Sequence, residues 1–339
     1  MKKIAVEEHF TTEEHLDYLR SLLEKRYPVP EVLQEEKYID RELPFLSPAI
    51  PGNTILTGRL LDVGADRLKY MTEAGIDIQV LTLVSPGVQV FDAATGTALA
   101  KKFNNKLAEI VREQPQRYAG LATVAPQSPN EAADELERSV RELGLKGAVI
   151  NSHVKGEYLD DRKYWVIFER AEKLNVPIYI HPRSPSPDMM KPYLSYPLLD
   201  SSMLGFGAEV SLHAMRLICS GVFDEHPGLN IVLGHLGEAL PFWLWRLDDM
   251  WRRGPLSKQR KKKPSQYIKD NFFITTSGMF SQPALLCSYL ALGADRILFA
   301  VDHPMESMGK AVQFMEAAPI CDSEKEKIYH LNAEKLLAL

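Results

Sequence analysis

Lys3-Ile4-Ala5-Val6-Glu7-Glu8-His9-Phe10 decides how this chain is read. A short apolar run of strand-forming character leads straight into two acids and an imidazole. Side chains two apart on a strand share a face, so Glu7 and His9 project together while Glu8 points away. A carboxylate and an imidazole aimed into one space suit a divalent transition metal. The same letters recur at Glu13-Glu14-His15, where they follow Thr11-Thr12 and precede Leu16, Tyr18, Leu19 and Leu22. Thr11 with Glu14 reads there as a capping box, which makes the second copy the first turn of an exposed helix. Context separates the two.

The 339 residues suit one large α/β barrel or two ordinary domains. Apolar residues make up 45% and charged residues 25%, and a net charge of −5 supplies no attraction to nucleic acid or membrane. The basic run from Arg252-Arg253 to Lys261-Lys262-Lys263 has no interleaved aromatics and reads as a solvated loop. Cys219, Cys287 and Cys321 are odd in number and far apart, which points to reduced thiols and a cytoplasmic protein. No apolar run reaches the roughly 18 residues of a membrane span, and no signal peptide precedes the first strand.

From residue 63 onward, helices and short apolar strands alternate. Helices are expected near 63–74, 94–114, 130–143, 161–174, 207–220, 239–251, 265–270 and 283–293, with two more at 307–317 and 323–337. Strands follow at 76–84, 118–125, 146–151, 176–181, 230–235, 272–277 and 296–302. With the opening strand these make eight, and eight continuously apolar strands separated by helices predict a closed parallel (β/α)8 barrel. Residues 11–61 form a proline-punctuated insertion after strand 1, with one helix near 12–26 and Pro28, Pro30, Pro44, Pro48 and Pro51. A lid or subunit contact is expected there. No linker divides the rest, so residues 1–339 read as a single domain.

Such barrels work at the C-terminal ends of their strands. Those ends carry Glu7 and His9 on strand 1, His181 on strand 5, His235 on strand 6 and Asp302 on strand 8. Five ligand-type side chains at one mouth are far more specific than any single motif. The blocks around them are Ser85-Pro86-Gly87-Val88-Gln89, Ile150-Asn151-Ser152-His153, Ile180-His181-Pro182-Arg183, Phe223-Asp224-Glu225-His226-Pro227, Gly234-His235-Leu236-Gly237-Glu238-Ala239-Leu240-Pro241, Thr276-Ser277-Gly278 and Phe299-Ala300-Val301-Asp302-His303-Pro304. This pattern resembles the amidohydrolase superfamily, and within it the non-hydrolytic aromatic-acid decarboxylases such as those of 5-carboxyvanillate and γ-resorcylate.

The resemblance implies one divalent metal ion, Mn²⁺ or Zn²⁺, held by Glu7, His9, His181 and Asp302. Binuclear members carry a modified lysine at the end of strand 4, where this chain has Asn151-Ser152-His153. The substrate's carboxylate and an ortho phenolate would chelate the cation, and Asp302 is the expected acid toward the ring carbon. A metal-bound carboxylate has a low pKa, so Asp302 must gain its proton as the complex forms. His235 with Glu238 forms a second proton-handling pair, although Glu238 also suits the first turn of a helix. Arg246 is placed to meet a second anionic substituent, and an exposed helix arginine would look the same. Phe10, Trp243 and Phe280 are candidate aromatic walls that core packing would equally explain. Glu209, His213 and His226 read as structural, His153 as a loop or supporting residue, and His303 as facing away from the metal.

Val84, Met305 and Gly52 stand where the carboxyvanillate enzymes have threonine, an aromatic and arginine, so a simpler hydroxybenzoate substrate is possible. A hydrolase of the lactonase type, in which Asp302 activates a metal-bound water, is the alternative; a catalytically silent barrel is the third reading. Leu43, Phe45 and Leu46 in the insertion hint at a subunit contact, and family members are homodimers or homotetramers.

Overall fold

The computed structural model describes residues 1–24, 53–196 and 198–339. The insertion's prolines, Gly52, Leu43, Phe45 and Leu46 lie outside these residues. Among the described residues nine strands make the scaffold: β1 (Ile4–Phe10), β2 (Ile78–Leu83), β3 (Tyr118–Gly120), β4 (Ala122–Thr123), β5 (Ala148–Asn151), β6 (Ile178–His181), β7 (Ile231–Leu233), β8 (Phe272–Thr275) and β9 (Ile297–Leu298). They pair in parallel as β1-β2-β3 and as β4 through β9 in chain order. β3 and β4 are two halves of one stave, joined through Leu121, whose N–H donates to Leu81 O at 3.0 Å. The other seam is closed by bonds from Val6 N to Phe299 O and from Asp302 N to Glu7 O, each 3.0 Å, and by a parallel bridge between Glu8 and His303. The result is the expected closed α/β barrel of eight staves.

Helices of the barrel wall include α1 (Glu13–Glu24), α2 (Asn53–Leu61), α3 (Ala65–Ala74), α4 (Ala93–Glu113), α5 (Pro129–Arg141), α6 (Trp165–Leu174), α7 (Gly205–Ser220), α8 (Leu240–Arg253), α9 (Pro264–Asn271), α10 (Gln282–Leu292) and α11 (Met308–Glu316). Their limits have local causes. Gly75 closes α3 at φ 68°, a left-handed position that glycine tolerates, and Asp92 caps α4 by accepting from Thr95 N at 3.0 Å. The insertion holds α2 in addition to α1, a helix that proline counting obscured.

α1 starts where expected but for another reason. Thr12 caps it, accepting from His15 N at 3.1 Å, while Thr11 Oγ1 bonds the His15 ring at 2.8 Å. His15 is fully buried, with its other nitrogen 3.3 Å from Gly87 O, so this copy of Glu-Glu-His is not an exposed turn. The capping box of Thr11 with Glu14 is not formed; Glu14 pairs with Lys102 instead.

Two apolar layers result. Ile4, Val6, Val80, Ala119, Leu121, Val149, Tyr179, Val232 and Leu298 fill the barrel, while the larger layer lies between staves and helices. With Ile4 and Val6 inside, unbroken alternation would send Glu8 inward next. A register irregularity between Ala5 and Glu8 reverses the phase, so Glu7 and His9 face the axis at the mouth. Elsewhere the period of two holds, leading from Tyr179 to His181 and from Leu298 toward Asp302.

Candidate active site

Glu7, His9 and His181 each bring one ligand atom to within 4.8 Å of the others, all three side chains buried. Glu7 Oε1 and His9 Nε2 are buried without a hydrogen-bond partner, a costly state unless something else is to be held there, and His181 Nε2 lies 3.5 Å from Glu7 Oε1. Thr82 Oγ1 lies 3.0 Å from His9 Nδ1. Donation from that nitrogen leaves Nε2 with a lone pair, the form a metal requires. Burial, and then the neighbouring His9, hold His181 well below the ordinary imidazole range, which leaves the His181 ring neutral. One carboxylate oxygen and two imidazole nitrogens fit a divalent transition metal.

Asp302, the fourth ligand expected, lies across the closing seam. Its Oδ1 is 3.1 Å from His9 Nε2, although the tight group of three excludes it. Asp302 adopts φ 77°, unusual for a residue with a side chain, and is fixed by bonds to Glu7 O and from Glu306 N. Burial would raise its pKa, but the contacts from His235 and His9 outweigh that and hold it well below the usual carboxylate range.

His235 Nε2 is 3.8 Å from Asp302 Oδ2, and its Nδ1 is 2.5 Å from Glu238 Oε1. Burial opposes the imidazolium here, yet the Glu238 charge and the Asp302 contact prevail and raise the His235 pKa well above its ordinary value. Glu238 sits in the left-handed turn before α8, not in the helix's first turn, so its role as a helix N-terminal charge does not apply.

Other expected residues are placed differently. Phe10 is 1% exposed and belongs to the core behind the staves. Phe280 is half-buried against that core, its ring 5.7 Å from Phe314. Arg246 and Trp243 are exposed on α8, and Arg246 forms no hydrogen bond or ion pair with the described residues. His153 uses both ring nitrogens, toward Ser184 O and Gly156 N at 3.1 Å each, so it is a brace. His303 lines a separate cavity of about 280 Å³ with Arg59, Tyr70 and Met308. Glu209 and His213 join a buried network through Ser152, and His226 pairs with Glu172.

Several supports escaped the sequence reading. Tyr179 O–H and Thr275 O–H both donate to Glu7 Oε2, the latter at 3.0 Å. Behind the cluster, Arg67 is fully buried and bonds His9 O and Gln79 Oε1 at 2.7 Å each. Gln79 in turn donates to Glu8 Oε2 at 3.0 Å. Glu8 thus faces away from the cluster, and desolvation raises its pKa against the pull of Val301 N–H and Arg67. The period of two would have flagged Tyr179, two residues before His181. At the end of β5, Asn151 is held by Gln89 and no lysine is present, consistent with a single ion.

The family described as amidohydrolase matches residues 62–339. The chain belongs to the amidohydrolase family. Among this amidohydrolase's relatives, γ-resorcylate decarboxylase of Polaromonas sp. (strain JS666) is 37% identical, aligned over 99% of this chain and 98% of its own. Among solved structures, 5-carboxyvanillate decarboxylase from Sphingomonas paucimobilis is 40% identical with TM-score 0.91, covering 100% of this chain and 99% of its own. A dihydroxybenzoic acid decarboxylase from Polaromonas sp. JS666, with bound manganese and 2-nitroresorcinol, is 37% identical with TM-score 0.85, covering 100% and 97%. Matched end to end by decarboxylases, this amidohydrolase is a carboxy-lyase of the superfamily. Among the described residues, no helix is long and apolar enough to cross a membrane.

Proposed function

We propose that the protein is a metal-dependent, non-oxidative decarboxylase of an ortho-hydroxylated aromatic carboxylic acid of the hydroxybenzoate type. The observation that carries this reading is the contact series from His9 through Asp302 to the His235–Glu238 pair, which sets proton-handling groups directly against the candidate ligands. A divalent ion held by Glu7, His9, His181 and Asp302 would supply Lewis acidity toward the substrate's carboxylate and phenolate oxygens. Manganese is favoured because relatives with these folds were solved with it; zinc is the competing ion.

Asp302, held ionised in the resting protein, takes up a proton when the acidic substrate binds and passes it to the ring carbon bearing the carboxylate. The electrons of the C–C bond stay on that carbon, which receives the proton as CO₂ leaves. His235, kept cationic by Glu238, donates a hydrogen bond to the phenolic oxygen and so favours the charge distribution of the reacting ring. Arg246 and the half-buried Phe280 are proposed substrate-contact positions; Phe10 acts from the core behind His9.

Residues 1–339 are proposed as one barrel domain, since the first and last staves close on each other. Phe242 and Trp245 on α8 are about three-quarters exposed, and Tyr196 and Met203 about two-thirds. So much bare apolar surface supports a homodimer or homotetramer. Cys219, Cys287 and Cys321 are all free thiols, which supports a cytoplasmic setting.

The test is a panel of hydroxybenzoates incubated anaerobically with manganese-loaded and zinc-loaded protein. CO₂ and the matching phenol are expected from at least one acid. Opening of a lactone without CO₂ would transfer the protein to the hydrolase reading.

A further inference from the structure

His235, Leu236, Gly237, Glu238 and Ala239 occupy the left-handed region in succession, with φ of 50°, 56°, 80°, 52° and 65°. Only Gly237 adopts such a conformation freely; the four others hold it because their surroundings impose it. Three buried serines, two on helices and one just beyond a strand, meet this turn. Ser211 Oγ on α7 donates to Glu238 O at 2.5 Å, and Ser288 Oγ on α10 donates to Leu236 O at 3.1 Å. Ser277 Oγ, just beyond β8, accepts from His235 N at 3.2 Å. All three are at most 5% exposed, so water does not compete for these bonds.

The direction of the Ser277 bond extends the connection. The Glu7 carboxylate only accepts, so Thr275 spends its proton on Glu7 Oε2. Thr275 Oγ1 must then accept from Ser277 Oγ, 2.8 Å away, which leaves a Ser277 lone pair for the His235 N–H. One hydroxyl chain thus joins the candidate ligand Glu7 to the backbone of His235.

We infer that Ser211, Ser277 and Ser288 form a clasp that positions the His235–Glu238 pair, with Ser277 and Thr275 fixing its location relative to Glu7. The three are positioning residues, and their role in turnover rests on the decarboxylase reading above.

Ser211→Ala and Ser288→Ala test the clasp from its two ends in the manganese-loaded full-length protein, since alanine keeps both helices intact. Each is expected to lower kcat about three- to tenfold, the worth of one buried hydrogen bond. KM and manganese affinity should stay within about twofold of the unchanged protein, and amide exchange of residues 235–239 should accelerate selectively. A purely structural role would instead loosen the whole barrel and move KM, metal affinity and exchange together, which overturns the inference, as would unchanged kcat in both variants. Should either variant fail to fold, amide exchange in the unsubstituted holoprotein decides. Protection of the His235 amide matching the β8 core supports the clasp, and exchange at open-loop rates refutes it. That readout needs no turnover, so a protein that releases no CO₂ would defeat the decarboxylase reading without deciding the clasp.

Discussion

Gly207→Ala should make the protein less active while leaving its stability nearly unchanged. Gly207 is the third residue of α7, and a Cβ there would lie 2.9 Å from Glu238 Oε2. Ordinary contact begins near 3.4 Å, so the carboxylate must retreat by about half an ångström. Its other oxygen is engaged with His235 Nδ1 at 2.5 Å, and the Glu238 carbonyl is held by Ser211, so the retreat is transmitted to the imidazole. A misplacement of about 1 Å can cost a hundredfold in rate, which makes roughly tenfold the expected loss in kcat here. In the opposite direction, alanine is better than glycine in a helix by up to about 1 kcal/mol, and roughly half that in a first turn. The cost of displacing the pinned carboxylate offsets that gain, so melting curves should move by no more than about a degree while CO₂ release falls. Wild-type turnover in a Gly207→Ala protein that melts normally would show that the position of the Glu238 carboxylate does not matter and would refute the reasoning.

Removing the Tyr179 hydroxyl (Tyr179→Phe) takes one of two donors from Glu7 Oε2 and should weaken manganese binding about 10- to 100-fold by isothermal titration; unchanged affinity would contradict the role given to that bond. Asp302→Asn should lower CO₂ release about a thousandfold, with the acid still bound as judged by fluorescence quenching; activity near normal would remove Asp302 from the proton step. His15 is held neutral chiefly by burial, its pKa lowered from 6.5 to about 4, so it contributes stability fully above pH 6.5 that is lost as pH falls toward 4. Urea unfolding should be less favourable to the native state by about 2 kcal/mol at pH 5 than at pH 7.5 on this account, and His15→Gln should lose that share of the pH dependence.

Most of the barrel was legible because its strands are short, apolar and spaced by helices of regular length. The mouth was legible because Glu7, His9, His181, His235 and Asp302 stand at or just beyond the C-terminal ends of their strands. Other features depend on contacts that no local pattern records. The irregularity after Ala5 sets which acids face the axis, yet Ile4-Ala5-Val6-Glu7-Glu8 carries no glycine or proline to announce it. The stave at 118–125 breaks into two because its halves pair with different neighbours, and β9 keeps only Ile297 and Leu298 in regular pairing. His15 looked exposed because its helix begins with two acids, but the ring turns inward to Thr11 and Gly87. The serines around His235 were silent for a similar reason: serine is common everywhere, and only the fold brings 211, 277 and 288 to one turn. The basic run proved to be a paired surface, with Lys262 on Asp270, Lys263 on Asp248 and Arg252 and Arg253 on Asp249.

The central claim is that groups from the first and sixth strands of the barrel, together with Asp302 in the segment that follows the last strand, hold one cation. Anomalous diffraction at the manganese edge from crystals of the manganese-loaded protein tests it most directly. One strong peak per chain is predicted, within bonding distance of Glu7, His9, His181 and Asp302. No peak at that position, or a peak ligated by other residues, would contradict the account.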